Sequence, residues 1–290
     1  AFCNAGFSTF SDSLMGFQAA PAVQGVVMTL IVIGGVGFLV LEELNVLRKK
    51  RREWALQGLS LHSRLVLGTT AVLLLGGWAV FTTLEWSNVL ADMAVWQKLM
   101  NGLFMSVTAR TAGFNTVDYA ATADSSNFIT ILLMSVGGSP GSTAGGIKTT
   151  TFALIGLLAL SRLRGHQVTS FRNRTIPEET IQRAVGLFVV AFGIVTSGIL
   201  LFAALQIGAA GHDETQGRFI QFMFEAVSAF NTVGLSMGVT GELSDATRLI
   251  TVFLMYVGRV GPLSFAAAIA LRQPSAAGEF RYAYEDVVIG

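Results

Sequence analysis

The sequence predicts an all-α integral membrane protein, and three observations carry the prediction: low charge, long uncharged runs, and a copied order of long and short apolar segments. Apolar residues make up 52% of the 290 and charged residues 13%, against roughly 25% charged in a soluble domain. Several charge-free runs approach or exceed the ~20 residues that a helix needs to cross a bilayer. The net charge of +1 supplies no bulk basicity for nucleic acid. The single Cys3 excludes an internal disulfide, and His62, His166 and His212 lie at no metal-ligand spacing. No paired carboxylates, Ser/His dyad or metal cluster falls within the apolar runs, so an enzyme is not expected. The chain opens on Ala1 and a polar-aromatic motif without a basic leader, and is expected to begin inside a longer protein.

Taken in order, spans are expected at 22–41, 65–84, 127–161, 184–211 and 249–271. The first, second and fourth are free of charge, the third holds only Lys148 and the fifth only Arg259. Basic residues follow the odd-numbered spans: Arg48 to Arg52, then Arg162, Arg164, Arg172 and Arg174, then Arg272 and Arg281. The other connections carry Glu85 and Asp92, or His212, Asp213 and Glu214. The positive-inside rule therefore puts the basic loops and the C-terminus in the cytoplasm of a multi-pass cell-membrane protein. Two further apolar pieces, 96–109 and 219–230, are too short to cross and suit re-entrant half-helices on the outer side.

The third span cannot be a regular helix, because its middle reads Ser135-Val-Gly-Gly-Ser-Pro-Gly-Ser-Thr-Ala-Gly-Gly-Ile-Lys-Thr-Thr-Thr151. Unwound backbone survives at membrane depth only where protein or a water-filled path satisfies it, so this segment reads as a plug or hinge beside a pathway. A Walker A reading fails, since Ile147 separates Gly146 from Lys148 and an apolar helix precedes the loop.

After each half-helix comes a glycine link. Ala1-Phe-Cys-Asn-Ala-Gly-Phe-Ser8 aligns with Thr108-Ala-Arg-Thr-Ala-Gly-Phe-Asn115 and with Ala229-Phe-Asn-Thr-Val-Gly-Leu-Ser236. A glycine there lets the backbone turn so that successive carbonyls face one axis. Carbonyls gathered from several links can replace a cation's water shell, as in filters of the Thr-Val-Gly-Tyr-Gly type. The candidate filter residues are Asn4, Ala5 and Gly6, then Thr111, Ala112 and Gly113, then Thr232, Val233 and Gly234. No carboxylate lies inside the links, which argues for a monovalent ion held by main-chain oxygens alone.

Ala109-Arg-Thr-Ala-Gly-Phe-Asn115, Gly137-Gly-Ser-Pro-Gly-Ser-Thr-Ala-Gly-Gly-Ile-Lys-Thr-Thr150 and Gly258-Arg-Val-Gly-Pro-Leu263 together resemble the Trk/Ktr/HKT superfamily of potassium transporters, nearest its KtrB-type branch. The resemblance covers essentially the whole chain. It implies repeated span–half-helix–filter–span units around a pseudo-fourfold pore. Residues 1–53 would be the filter and last helix of unit two, 54–176 unit three, and 177–290 unit four with the C-terminal tail. It implies that 137–150 is a gating loop, with Gly137, Gly138, Ser139, Gly141, Gly145, Gly146, Lys148 and Arg259 as gate residues. It also implies K⁺ as the transported ion, with Na⁺ or H⁺ coupling left open, and no cofactor in this chain. Membrane lipid, a homodimer and a cytosolic nucleotide-binding ring of the KtrA type are the implied partners, and no nucleic acid.

The fixed charges carry alternatives. Arg259 either donates to the loop's carbonyls and holds it closed or braces two helices, and Lys148 either serves the gate or snorkels to the interface. Arg110 is expected to pair with half-helix carbonyls or an acid. Asp118 and Asp124 either concentrate cations or are solvated loop charges, and Glu225 is a vestibule residue or a brace. The functional alternative is a secondary transporter of a small organic solute that uses the broken helix as its site. Such sites sit between inverted repeats, whereas the copies here run in one direction.

Overall fold

The computed structural model describes residues 1–49, 58–172, 174–208, 211 and 215–261. Nine α-helices are found among them: α1 (Pro21–Val36), α2 (Phe38–Lys49), α3 (Leu61–Glu85), α4 (Val95–Thr108), α5 (Asp124–Ser135), α6 (Thr149–Leu163), α7 (Glu178–Gln206), α8 (Arg218–Phe230) and α9 (Asp245–Val260). Strands β1 (Ser170–Phe171) and β2 (Arg174–Thr175) form a small antiparallel hairpin after α6, a departure from the purely helical expectation. Residues 50–52, 212–214 and 262–290 lie outside the described residues. They hold part of the first basic cluster, His212, Asp213 and Glu214, Pro262 and Leu263 of the third motif, Arg272, Arg281 and the tail.

α3 and α7 are long and apolar enough to cross a membrane. Ser60 caps α3, its side chain accepting from Ser63 N. The outward residues of α7 are apolar, with Val189, Phe192 and Leu200 exposed. A helix apolar on its exposed face as well as its packed one belongs in lipid. α4 and α8, the two half-helices, lie inside the molecule. α4 packs on α3 and α1, while α8 packs on α9, α5 and α7. Their C-terminal halves are almost wholly buried, including Phe104, Val107 and Thr108 in one and Phe224, Val227 and Phe230 in the other.

The first span departs from expectation. Residues 22–41 do not form one helix: α1 stops at Val36 and α2 leaves at 99° to it. Gly37 makes the corner with φ +90. The break has a long-range cause, since Phe38 N donates to Gly141 O at 3.2 Å and a side chain at Gly37 would stand 2.7 Å from Pro140 O. α9 is alike: it also runs 16 residues and ends on a glycine, Gly261, at φ +93. Gly34 in α1 packs against Phe2 O, and Gly258 in α9 against Phe230 O, the matching position of its own link.

Each long helix is clipped at its C-terminal end to the start of the helix that follows its half-helix. Glu85, fully buried at the end of α3, accepts from Ala123 N at 3.0 Å, just before α5. Gln206, last in α7, donates to Thr247 Oγ1 in the first turn of α9 at 3.1 Å.

Candidate functional site

The links begin where the half-helices end, and the first of them opens the chain. In each, two residues adopt left-handed φ with one that does not between them: Asn4 (49°) and Gly6 (69°), Thr111 (66°) and Gly113 (83°), Thr232 (51°) and Gly234 (89°). Alternating handedness along an extended strand turns successive carbonyls to the same side. Glycine does this freely and asparagine tolerates it, but β-branched threonine is an outlier there. Thr108 Oγ1 accepts from Phe114 N at 3.0 Å, and Ser228 Oγ donates to Leu235 O at 2.7 Å. The residue after the link glycine is thereby pinned to the half-helix.

The three glycines come together. A side chain at Gly113 would stand 3.0 Å from Gly6 Cα, 3.4 Å from Gly234 Cα and 2.5 Å from Val233 O. One at Gly6 would stand 3.0 Å from Ala112 O. Gly113 thus lies between the other two, and a Cβ on Gly6 or Gly113 would enter space that a neighbouring link's carbonyl already faces. Gly113 is buried, whereas Ala5 and Gly234 are exposed, so the sector across from Gly113 is open.

The glycine loop lies against the third of these links, stitched to two helix ends. A helix leaves its last carbonyls without intrahelical donors, and the loop supplies them. Ser139 N donates to Gly35 O at 3.0 Å and Thr143 N to Gly34 O at 3.2 Å, capping α1. Gly146 N donates to Gly258 O at 3.2 Å in the last turn of α9. Within the loop, Gly137 N donates to Ile147 O at 2.7 Å and Thr149 N to Gly138 O at 3.1 Å. Glycine is required by space as well as by φ. A side chain at Gly145 would collide with Thr232 Oγ1, and one at Gly146, whose φ is +68, with Asn231 Oδ1.

Three cations reach the loop. Arg259 Nη1 donates to Thr143 O at 2.6 Å. Lys148 Nζ turns onto the loop and donates to Ala144 O at 2.6 Å. Arg110 differs from expectation: its partners are neither half-helix carbonyls nor an acid. Nη1 donates to Val136 O and Nη2 to Gly137 O, each at 2.7 Å, where α5 runs out into the loop. Only 6% of Arg110 is exposed, and no ion pair involves it among the described residues. A guanidinium can grip two adjacent carbonyls at once because its donors form a fixed fork. Sequence reasoning missed this grip, since its partners are 26 and 27 residues downstream.

Farther out, Glu225 accepts from Ser236 Oγ and, at 3.1 Å, from Thr240 Oγ1, bracing the turn after Gly234. Asp118 caps its own turn by accepting from Ala120 N at 2.9 Å.

A family described as "TrkH: Cation transport protein" matches residues 1–279. The chain belongs to the TrkH cation transport family. The Ktr system potassium uptake protein B of Bacillus subtilis is 37% identical over 294 residues, covering 100% of this chain and 62% of that protein. The potassium/sodium uptake protein NtpJ of Enterococcus hirae is 34% identical over 292 residues, with the same two coverages. The crystal structure of the potassium transporter TrkH from Vibrio parahaemolyticus superposes with a TM-score of 0.74 at 17% identity, covering 94% of this chain and 56% of that one. That likeness shows the shared fold, that of an all-α membrane protein. The chain spans about three-fifths of the length of these TrkH-family relatives, which are cation transporters and not enzymes.

Proposed function

We propose that this chain forms three adjacent quarters of a potassium pathway across the cytoplasmic membrane, as the pore-forming part of a Ktr/Trk-type uptake system. One observation carries the reading: Gly6, Gly113 and Gly234, far apart in sequence, lie side by side in links of the same alternating backbone hand. Holding Thr111 and Thr232 at positive φ costs about 1–3 kcal/mol each, strain of a kind that clusters at functional sites. Main-chain oxygens gathered there substitute for water around K⁺, with Asn4 to Gly6, Thr111 to Gly113 and Thr232 to Gly234 as the filter. The open sector across from Gly113 is where a fourth link completes the ring.

The loop from Gly137 to Thr150 is the gate. Its amides cap α1 and α9, its carbonyls are held by Arg110, Lys148 and Arg259, and Gly145 and Gly146 press on Asn231 and Thr232 of the third link. The like construction of α1 and α9 supports repeated units at 1–53, 54–176 and 177–290 around a pseudo-fourfold axis. The printed names of the Ktr relatives support potassium as cargo, and that of NtpJ supports sodium beside it. Basic loops facing the cytoplasm, a homodimer and a KtrA-type nucleotide-binding ring complete the proposal.

Reconstituted full-length protein is expected to take up rubidium and to leave labelled amino acids outside. Amino-acid uptake without rubidium uptake would overturn the reading in favour of an organic-solute transporter.

A further inference from the structure

α2 leaves α1 at 99°, and it is tied down in two places. At its first residue it meets the glycine loop. Phe38 N donates to Gly141 O at 3.2 Å, and a side chain on Gly141 would stand 2.8 Å from the Phe38 ring. Five residues on, Glu43 meets the start of α3. Its carboxylate accepts from Ser60 N, from Ser60 Oγ at 2.8 Å and from Ser63 Oγ. Ser60 Oγ in turn accepts from Ser63 N at 3.2 Å, so the cap of α3 and the tie to α2 are one network. The apolar contact beside this network is small: Val36, Val40 and Val66 are its buried members. Val40 and Glu43 stand three apart on α2, and Ser63 and Val66 three apart on α3, spacings that put each pair on one helix face. The corner itself offers little resistance, since Gly37 carries no side chain to restrict its φ and ψ.

We propose that Glu43 is a positioning residue for the gate: its hold on Ser60 and Ser63 sets the angle of α2, and α2 in turn sets where Phe38 props the glycine loop. The inference rests on the reading of 137–150 as a gate and adds a control point that lies outside both the links and the loop. Hydrogen bonds to a carboxylate are roughly twice as strong as neutral ones. They act on α2 about 7.5 Å along the helix from Phe38, at about 1.5 Å per residue. A turn of α2 about Gly37 re-aims the Phe38 N–H and swings its ring. Neither can move alone, because the ring fills the space beside Gly141 and a side chain on Gly37 would stand 2.7 Å from Pro140 O. Contact this close leaves no slack, so loop and helix shift together. The hydrogen bonds of Glu43 go to α3 and not to a link, so its effect falls on the loop and not on ion selection.

The test uses full-length protein with Cys3 replaced by serine and Ser142→Cys as a reporter on the loop. Glu43→Ala, the isosteric Glu43→Gln and Ser63→Ala are compared for the rate at which a thiol reagent modifies the reporter, for rubidium flux into proteoliposomes, and for Tm. Glu43→Ala is expected to raise the modification rate about three- to tenfold, the factor that a lost hydrogen-bond contribution gives. Flux should rise with it, and K⁺/Na⁺ discrimination should not move. Glu43→Gln, which keeps an acceptor but loses the charge, should fall between wild type and alanine. Adding Ser63→Ala to Glu43→Ala should change the loop no further, because the serine acts on α2 only through the carboxylate. A lower Tm with wild-type modification rate and flux would overturn the proposal, since the contact would then be structural only. So would wild-type values of all three in folded Glu43→Ala protein. Deleting 139–145 separates this inference from the gate reading. If the deletion raises flux while Glu43→Ala leaves the reporter unchanged, the gate stands and the tie through α2 fails. If Glu43→Ala exposes the reporter while the deletion leaves flux low, the tie stands and the gate reading fails.

Discussion

Replacing Arg110 by lysine isolates the contact that joins the second link to the loop. The guanidinium makes two hydrogen bonds at 2.7 Å, to Val136 O and Gly137 O, in a site from which water is nearly excluded. A hydrogen bond to a charged group contributes about 1.5–3 kcal/mol. An ammonium keeps the charge but lacks the planar fork and can hold one carbonyl in place of two. The loop in its observed place should therefore lose about 1.5–3 kcal/mol relative to any displaced state, a shift of about tenfold to a hundredfold in that equilibrium. Two assays read it in full-length protein with Cys3 replaced by serine: rubidium flux into proteoliposomes, and the rate at which a thiol reagent modifies Ser142→Cys on the loop. Arg110→Lys should raise both. Wild-type flux and modification rate in folded Arg110→Lys protein would refute the reasoning. A change in K⁺/Na⁺ discrimination with loop accessibility unchanged would refute it differently, by placing the guanidinium's effect on the link.

Other substitutions probe the remaining contacts. Gly113→Ser puts a Cβ 2.5 Å from Val233 O at a φ of +83, and should lower K⁺/Na⁺ discrimination in competitive uptake; an unchanged ratio counts against the filter assignment. Deleting 139–145 removes both the caps on α1 and the contact with Thr232, and should raise flux; low flux from well-folded protein would end the gate idea. Glu85→Ala removes the buried acceptor of Ala123 N and one of the two acceptors of the exposed Asn88 amide. It should cost about 1–3 kcal/mol of stability, seen as a lower Tm in detergent with K⁺/Na⁺ discrimination untouched, and an unchanged Tm would contradict that account.

Which of these features the sequence disclosed follows from the range of the forces involved. The long helices were legible because lipid imposes a local rule, an uncharged run of sufficient length, and α3 and α7 obey it. The half-helices were legible from the same rule through their shortness. The corner at Gly37 was not, because Val36-Gly37-Phe38 reads as a continuation of an apolar run. What breaks the helix there is Gly141 O and Pro140 O, about a hundred residues downstream. The link glycines announced themselves by repetition, but the left-handed Thr111 and Thr232 run against the preference of their residue type. Arg110 looked like a cation placed awkwardly beside a cation path until its partners at the end of α5 were in view.

The measurement closest to the central claim is the anomalous scattering of thallium or rubidium in crystals of the full-length protein. The account predicts ion density on the line where Gly6, Gly113 and Gly234 face one another, flanked by the carbonyls of Ala112 and Val233. Ions found only at sites away from all three glycines would contradict it.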